Sequence, residues 1–145
     1  MSRRITQWSI AVAALLGAAA ACKKSAPPPP AAPAVVPLSV SVVTLGKQVG
    51  VDKSVAQPLD TFGPKDTIYA SVATVGTAAN ATLVATWTFQ TGQVIRTDSQ
   101  AIAPTAPANT EFHVSKPSGW PAGKYTVTIS LNGALAGSKD FEVHR

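Results

Sequence analysis

The chain holds one thiol, two imidazoles and seven carboxylates, and their spacing decides which reactions they can support. Cys22 is the only cysteine and follows a run of small residues, Ala18 to Ala21. A thiol there is placed for covalent modification at a cleavage point, not for catalysis. His113 alternates with Phe112 and Val114 on an extended segment, and His144 stands next to the C-terminus. A zinc site needs three or four convergent ligands, and nothing in the spacing of these two histidines supplies them. Ser115 and Ser118 lie near His113, but a nucleophile also needs a base and an orienting group, and no nucleophile elbow is present. The acids Asp52, Asp60, Asp66, Asp98, Glu111, Asp140 and Glu142 are scattered over loops and strand edges, Asp66 as the residue that stabilises the turn before the strand at residue 67. Glycine-rich phosphate loops are lacking. The expectation is a protein that is not an enzyme, with no cofactor and no metal. Trp120, in a loop beside Pro121, is the candidate binding residue: exposed, it would stack on a sugar ring or anchor a partner. The favoured reading has Trp120 cover the open end of the fold beside Tyr125.

The elements that position these residues begin with an export signal. Arg3 and Arg4 precede the apolar run Ile10–Ala21. That run is too short for a membrane span, which needs roughly 20 apolar residues, and its layout is that of a secretory signal peptide. Residues 1–21 are therefore expected to be removed. The segment Leu15-Leu16-Gly17-Ala18-Ala19-Ala20-Ala21-Cys22 resembles the lipobox of bacterial lipoproteins, departing from it at Ala19, where leucine is commonest. The resemblance implies that Cys22 receives a diacylglycerol, that cleavage falls before it and that the new amine is acylated. Each buried methylene contributes about 0.8 kcal/mol, so two or three chains hold a small domain firmly in the lipid bilayer. In that family an aspartate after the cysteine favours the inner membrane. Lys23 stands there instead, which implies the outer membrane, with the protein facing the periplasm.

Residues 22–37 form the anchor and a tether. Pro27–Pro30, Pro33 and Pro37 exclude helix and sheet interiors, because proline fixes φ and has no N–H. Such a stretch extends as polyproline II and lifts the remainder of the chain by roughly 40 Å. Removing Arg3 and Arg4 with the signal leaves roughly three net positive charges, two of them at Lys23 and Lys24. No basic stripe interleaved with aromatics is present, so nucleic acid is not expected as a partner.

Residues 38–145 read as one domain with period-two alternation. Strands are expected at 38–45, 67–75, 81–89, 94–102, 110–115, 124–131 and 134–143, with a short edge piece from Val49, Val51 and Val55. Phe62 is expected to plug the core. Leu83, Ala85, Trp87 and Phe89 share one face of their strand, and Tyr125, Val127, Ile129 and Leu131 share one face of theirs. The strand at 94–102 carries polar residues through its middle, which suits an edge. Asn132-Gly133 signals a type I′ hairpin, and Gly137 a bulge.

Seven strands at this spacing predict an all-β fold, a seven-stranded antiparallel sandwich. The run Trp120-Pro121-Ala122-Gly123-Lys124-Tyr125-Thr126-Val127-Thr128-Ile129 resembles the corner and following strand of immunoglobulin-like and fibronectin type III-like domains. The resemblance implies structural roles for Tyr125, as the corner tyrosine bonding upstream backbone, and for Trp87, as the core tryptophan. The functional expectation is a lipoprotein presenting a non-catalytic interaction module to a protein partner in the cell envelope. The alternatives are a glycan- or peptidoglycan-binding module and, less favoured, a protease inhibitor acting through the loops at 47–64 and 103–109.

Overall fold

The computed structural model describes Pro27 and residues 35–145. The signal segment, Cys22 and the rest of the tether lie outside the described residues. Within them the chain forms β1 (Ser39–Gly46), β2 (Thr61–Phe62), β3 (Ile68–Val75), β4 (Ala81–Phe89), β5 (Val94–Ile102), β6 (Ala108–Val114), β7 (Gly123–Leu131) and β8 (Ala134–Val143). They make two sheets, ordered β1-β3-β6 and β2-β8-β7-β4-β5. The architecture is an immunoglobulin-like β-sandwich, and alternation drives it. Leu83, Ala85 and Trp87 of β4 are buried while Thr82, Val84, Thr86 and Thr88 face away. In β7, Tyr125, Val127 and Ile129 are buried against Ile68, Ala70 and Val72 of β3 and Phe112 and Val114 of β6, within one core.

Three expectations are corrected. Among the described residues there are eight strands rather than seven, and β2 pairs parallel to β8, so the larger sheet is not purely antiparallel. The cause is Phe62. Its buried ring packs edge-on to Phe141 at 5.6 Å, which draws the returning loop against β8. Backbone bonds from Glu142 N to Asp60 O (2.8 Å) and from His144 N to Phe62 O (3.0 Å) then form. Val49, Val51 and Val55 form no edge piece. The chain turns tightly there, with Gly50 N bonded to Ser54 O and Asp52 accepting from the Ser54 hydroxyl at 2.7 Å, and Val51 is left in solvent.

The fourth long strand, β5, stays beside β4 and does not cross to β6. A tight turn at Thr91-Gly92 holds it there, with Phe89 N bonded to Gln93 O at 2.8 Å. β5 is thus an edge, and β6 is an edge of the other sheet. The β4–β5 register leaves Ile95 unpaired, so Arg96, Asp98 and Gln100 lie on the face of Trp87, Ala85 and Leu83. The smaller sheet does not reach over them, which explains polar residues on an inner face. The Gln100 amide closes the flank by donating to the Glu111 carbonyl of β6.

At the far end of β7, Asn132 and Gly133 have φ of 51° and 84°, as a type I′ turn requires. The β7–β8 register passes from Ile129–Gly137 to Ser130–Leu135, so the bulge residue is Ala136, next to Gly137. The chain enters the fold at this same end. Thr77 N bonds Val36 O at 3.0 Å, and Pro37 bridges Thr77. Gly76, with φ +92°, makes that approach possible, because a Cβ there would overlap the Pro37 carbonyl.

This predicts a graded pair of losses in urea unfolding. Gly92→Ala, at φ +86° in open space, is expected to cost about 1–2 kcal/mol of left-handed strain. Gly76→Ala carries the same strain plus the backbone collision and is expected to cost about 3 kcal/mol or more. Equal losses would mean that the entering chain is not seated on Gly76.

Candidate functional site

Three places bring chemically capable side chains together. The first is the end of the sandwich opposite the chain's entry. Tyr125 is the second strand residue after the positive-φ Gly123, so its ring falls inward. It stacks on Phe141 with centroids 5.2 Å apart and meets Trp120 edge-on at 5.6 Å. Its hydroxyl donates to the Pro121 carbonyl at 2.7 Å, the corner geometry. Burial pushes the phenol above its ordinary pKa. Trp120 is only 4% exposed. Its backbone N–H donates to Pro64 O at 2.8 Å and its indole N–H to Asp66 O at 3.0 Å.

Trp120 thus lies where the favoured reading put it, beside Tyr125, and the possible binding role is corrected. Both faces of its ring are committed to the interior, and its one polar atom is spent on backbone 54 residues away in sequence. Asp66 holds the loop that receives it. The carboxylate accepts from Gly63 N and from Lys47 Nζ, both at 2.7 Å. Lys47 first, then the Gly63 N–H, hold Asp66 below the usual carboxylate range.

The second place is the flank between β5 and β6, a cleft of about 290 Å³. Arg96 Nε donates to Asp98 at 2.7 Å, and Glu111 lies 3.0 Å from His113 Nδ1. Lys53 shares the lining, and the Tyr69 ring lies tilted beside His113 at 5.3 Å. Arg96 faces Asp98 and His113 faces Glu111, so the cleft is lined mainly by solvated polar pairs. The third place is a groove of about 430 Å³ over β7 and β8, where Asp60, Asp140 and Glu142 share the lining with Lys124. Thr126 donates to Asp140 at 2.7 Å, and His144 lies 3.7 Å from Glu142. Among the described residues, no three His, Cys, Asp or Glu side chains converge as metal ligands.

The two histidines thus sit with separate carboxylates on different sheets, and neither has Ser115 or Ser118 as a hydrogen-bond partner. Trp87 is buried in the core at 1% exposure, edge-on to Phe141 at 6.0 Å. Its Nε1 finds no acceptor among the described residues. Cys22 lies outside the described residues. The links from Trp120 to Asp66 and from Gln100 to Glu111 escape sequence reasoning because each joins distant segments through a side chain and a backbone carbonyl.

No family model matches the chain, and no curated protein matches it. Solved structures resemble it in fold. An immunoglobulin-like protein from Pseudomonas aeruginosa is 11% identical over 77% of this chain and 99% of its own, with a TM-score of 0.49. A CARDB domain from Pyrococcus furiosus, in complex with di-metal ions, is 10% identical over 74% of this chain and 88% of its own, with a TM-score of 0.47. A Pseudomonas fluorescens alkylpurine DNA glycosylase, bound to DNA containing an abasic site analog, is 15% identical over 74% of this chain, with a TM-score of 0.48; this chain spans 30% of that enzyme. These likenesses carry no ligand and no activity over to this chain. The assignment of the sandwich rests on its own two sheets.

The corner can be tested at two residues. Tyr125→Phe removes one buried hydrogen bond and leaves the Pro121 carbonyl short of a donor, which is expected to cost about 1 kcal/mol in chemical unfolding. An unchanged unfolding midpoint would contradict the corner role. Asp66 has its pKa depressed on folding, so its contribution is present above its unfolded value of about 3.9 and disappears as pH falls through the lower folded value. The stability gap between the wild type and Asp66→Asn should therefore be widest near neutral pH and close below about pH 4. A gap that stays constant down to acid would show that Lys47 and Gly63 do not favour the ionised form.

Proposed function

We propose that this chain is a bacterial lipoprotein, held by an acylated Cys22 and presenting one non-catalytic immunoglobulin-like domain to a protein partner in the cell envelope. Its place is the outer membrane, with the domain facing the periplasm. The leader ending at Cys22 and the lysine after it support the anchor and its address; the proline-rich segment supports a spacer. The observation that favours protein contact over glycan binding is the burial of Trp120. Sugar recognition by stacking needs an exposed ring face, and Trp120 has none to offer. What the domain does present is backbone and sheet. β5 and β6 are both unpaired along one side, and the outer face of the larger sheet carries Thr86, Thr88, Thr126, Thr128 and Ser130. Edges and polar faces of this kind are surfaces on which another protein can lay a strand or a loop.

The test is crosslinking of the acylated protein in intact cells, followed by fractionation, alongside Cys22→Ser. The wild type should sediment with outer membranes and crosslink to a defined envelope protein. Cys22→Ser should be released or accumulate as an unprocessed precursor. Full membrane retention of a processed Cys22→Ser would overturn the anchor. Co-sedimentation of the unacylated domain with purified peptidoglycan would replace protein contact by the glycan alternative.

A further inference from the structure

The two ends of the sandwich differ in charge. The end where the chain enters is built from four segments that the topology brings together: residues 35–40, 75–82, 101–109 and 131–138. They converge because β1, β4, β6 and β8 begin there while β3, β5 and β7 end there. Short bonds tie the segments: Thr77 N to Val36 O, Ala78 N to Pro104 O and Asn132 N to Thr82 O, at 2.8 to 3.0 Å. None of the four contains Asp, Glu, Lys, Arg or His. Their surface is Ala, Pro, Thr, Ser, Asn, Val and Leu, and it leaves large apolar side chains in solvent: Val35 at 79%, Leu135 at 73% and Val36 at 56% exposure. A cleft of about 250 Å³ runs beside Leu135, lined also by Leu38, Val40 and Leu131. The opposite end and the flanks carry the ionisable side chains of the domain, including Lys47, Lys65, Lys116 and Arg145; Asp52 and Lys53 border the charge-free end from the flank, on the loop whose Asp52 carbonyl accepts from Asn109 Nδ2 at 3.1 Å.

We infer that the charge-free end rests on the bilayer surface to which Cys22 is anchored, an inference that depends on the lipid-anchor reading. The chain outside the fold names the occupant. Twelve residues separate Cys22 from Val35, so the anchor's chain joins the fold at this end; their roughly 40 Å reach is the most by which it can stand off the lipid, and a tether lying along the surface lets it rest there. Its orientation is fixed at the root, because Val36 and Pro37 are seated on Thr77 and Gly76. The tether converts contact with the surface into an intramolecular event with a high effective concentration, so a weak apolar contact suffices. Charge would oppose that contact, since ionised groups lose hydration at the edge of a low-dielectric phase. An end without ionisable groups, tipped by Leu135, Val35 and Val36, meets no such penalty and buries apolar area in the interfacial zone. Docking in this orientation turns Trp120, the Asp66 loop and the charged end toward the periplasm.

The contact should not depend on lipid charge or salt, because this end has no cation to screen. That separates it from adhesion through Lys23 and Lys24. The experiment uses the acylated protein in phosphatidylcholine vesicles containing a spin-labelled, quenching lipid. A fluorophore is placed at Asn80→Cys, on the charge-free end, or at Ser118→Cys, on the opposite end; the lipidated sulfur of Cys22 takes no dye. Quenching is expected to be severalfold stronger at position 80 than at 118, to persist in high salt, and to fall when Leu135→Lys is added. Leu135 is exposed, so that variant should fold. Equal or absent quenching at both positions in a protein labelled once per chain would overturn the docked end and leave the anchor standing. A second dye on Cys22 would show a bare thiol and overturn both. Self-crosslinking through position 80 without quenching would assign this end to a second copy and overturn the bilayer contact.

Discussion

A column of aromatic rings holds this sandwich together. Phe141 of β8 is its centre, stacked on Tyr125 at an interplanar angle of 11° and met edge-on by Trp87 and Phe62. Trp120 closes the column against Tyr125. With one cysteine in the chain, no intrachain disulfide can share the load. Each fully buried ring contributes roughly 2–3 kcal/mol by leaving water, and each ordered ring pair about 1 kcal/mol more. The column also sets geometry. It joins β4, β7 and β8 of the larger sheet to the two loops that cap one end, and it pulls β2 into parallel register.

The unequal sheets arise from the same packing. Five strands face three, so β5 overhangs the smaller sheet, and of its inward residues Ile102 packs against the core while Arg96, Asp98 and Gln100 lie at its margin. Arg96, Asp98 and Gln100 suit that position, and a hydrophobic β5 would have left a sticky flank. The two ends then divide their roles. One is sealed by Trp120 and surrounded by charge. The other receives the chain over Gly76 and carries no charge at all.

Much of this was legible in the chain, and the reason is one-sided burial. β4, β7 and β8 alternate cleanly because each has one wet face, and Asn132-Gly133 marks its turn through backbone chemistry alone. Tyr125 and Trp87 were readable from local context. β2 was not, because two residues cannot show a period and its pairing depends on where Phe62 packs. Trp120 was legible only in part. Its place beside Tyr125 could be read from the local run, but the Asp66 carbonyl that takes its indole N–H is brought in by the fold. The charge-free end was invisible for want of contiguity: each of its four segments is ordinary, and the pattern exists only once the topology assembles them.

The anchor is the claim on which place, orientation and partner depend, and intact-mass analysis of the native N-terminus tests it most directly. The account predicts a chain beginning at residue 22 with its sulfur carrying a diacylglyceryl group. A chain beginning at residue 22 or elsewhere with an unmodified sulfur, or one still starting at Met1, would contradict it.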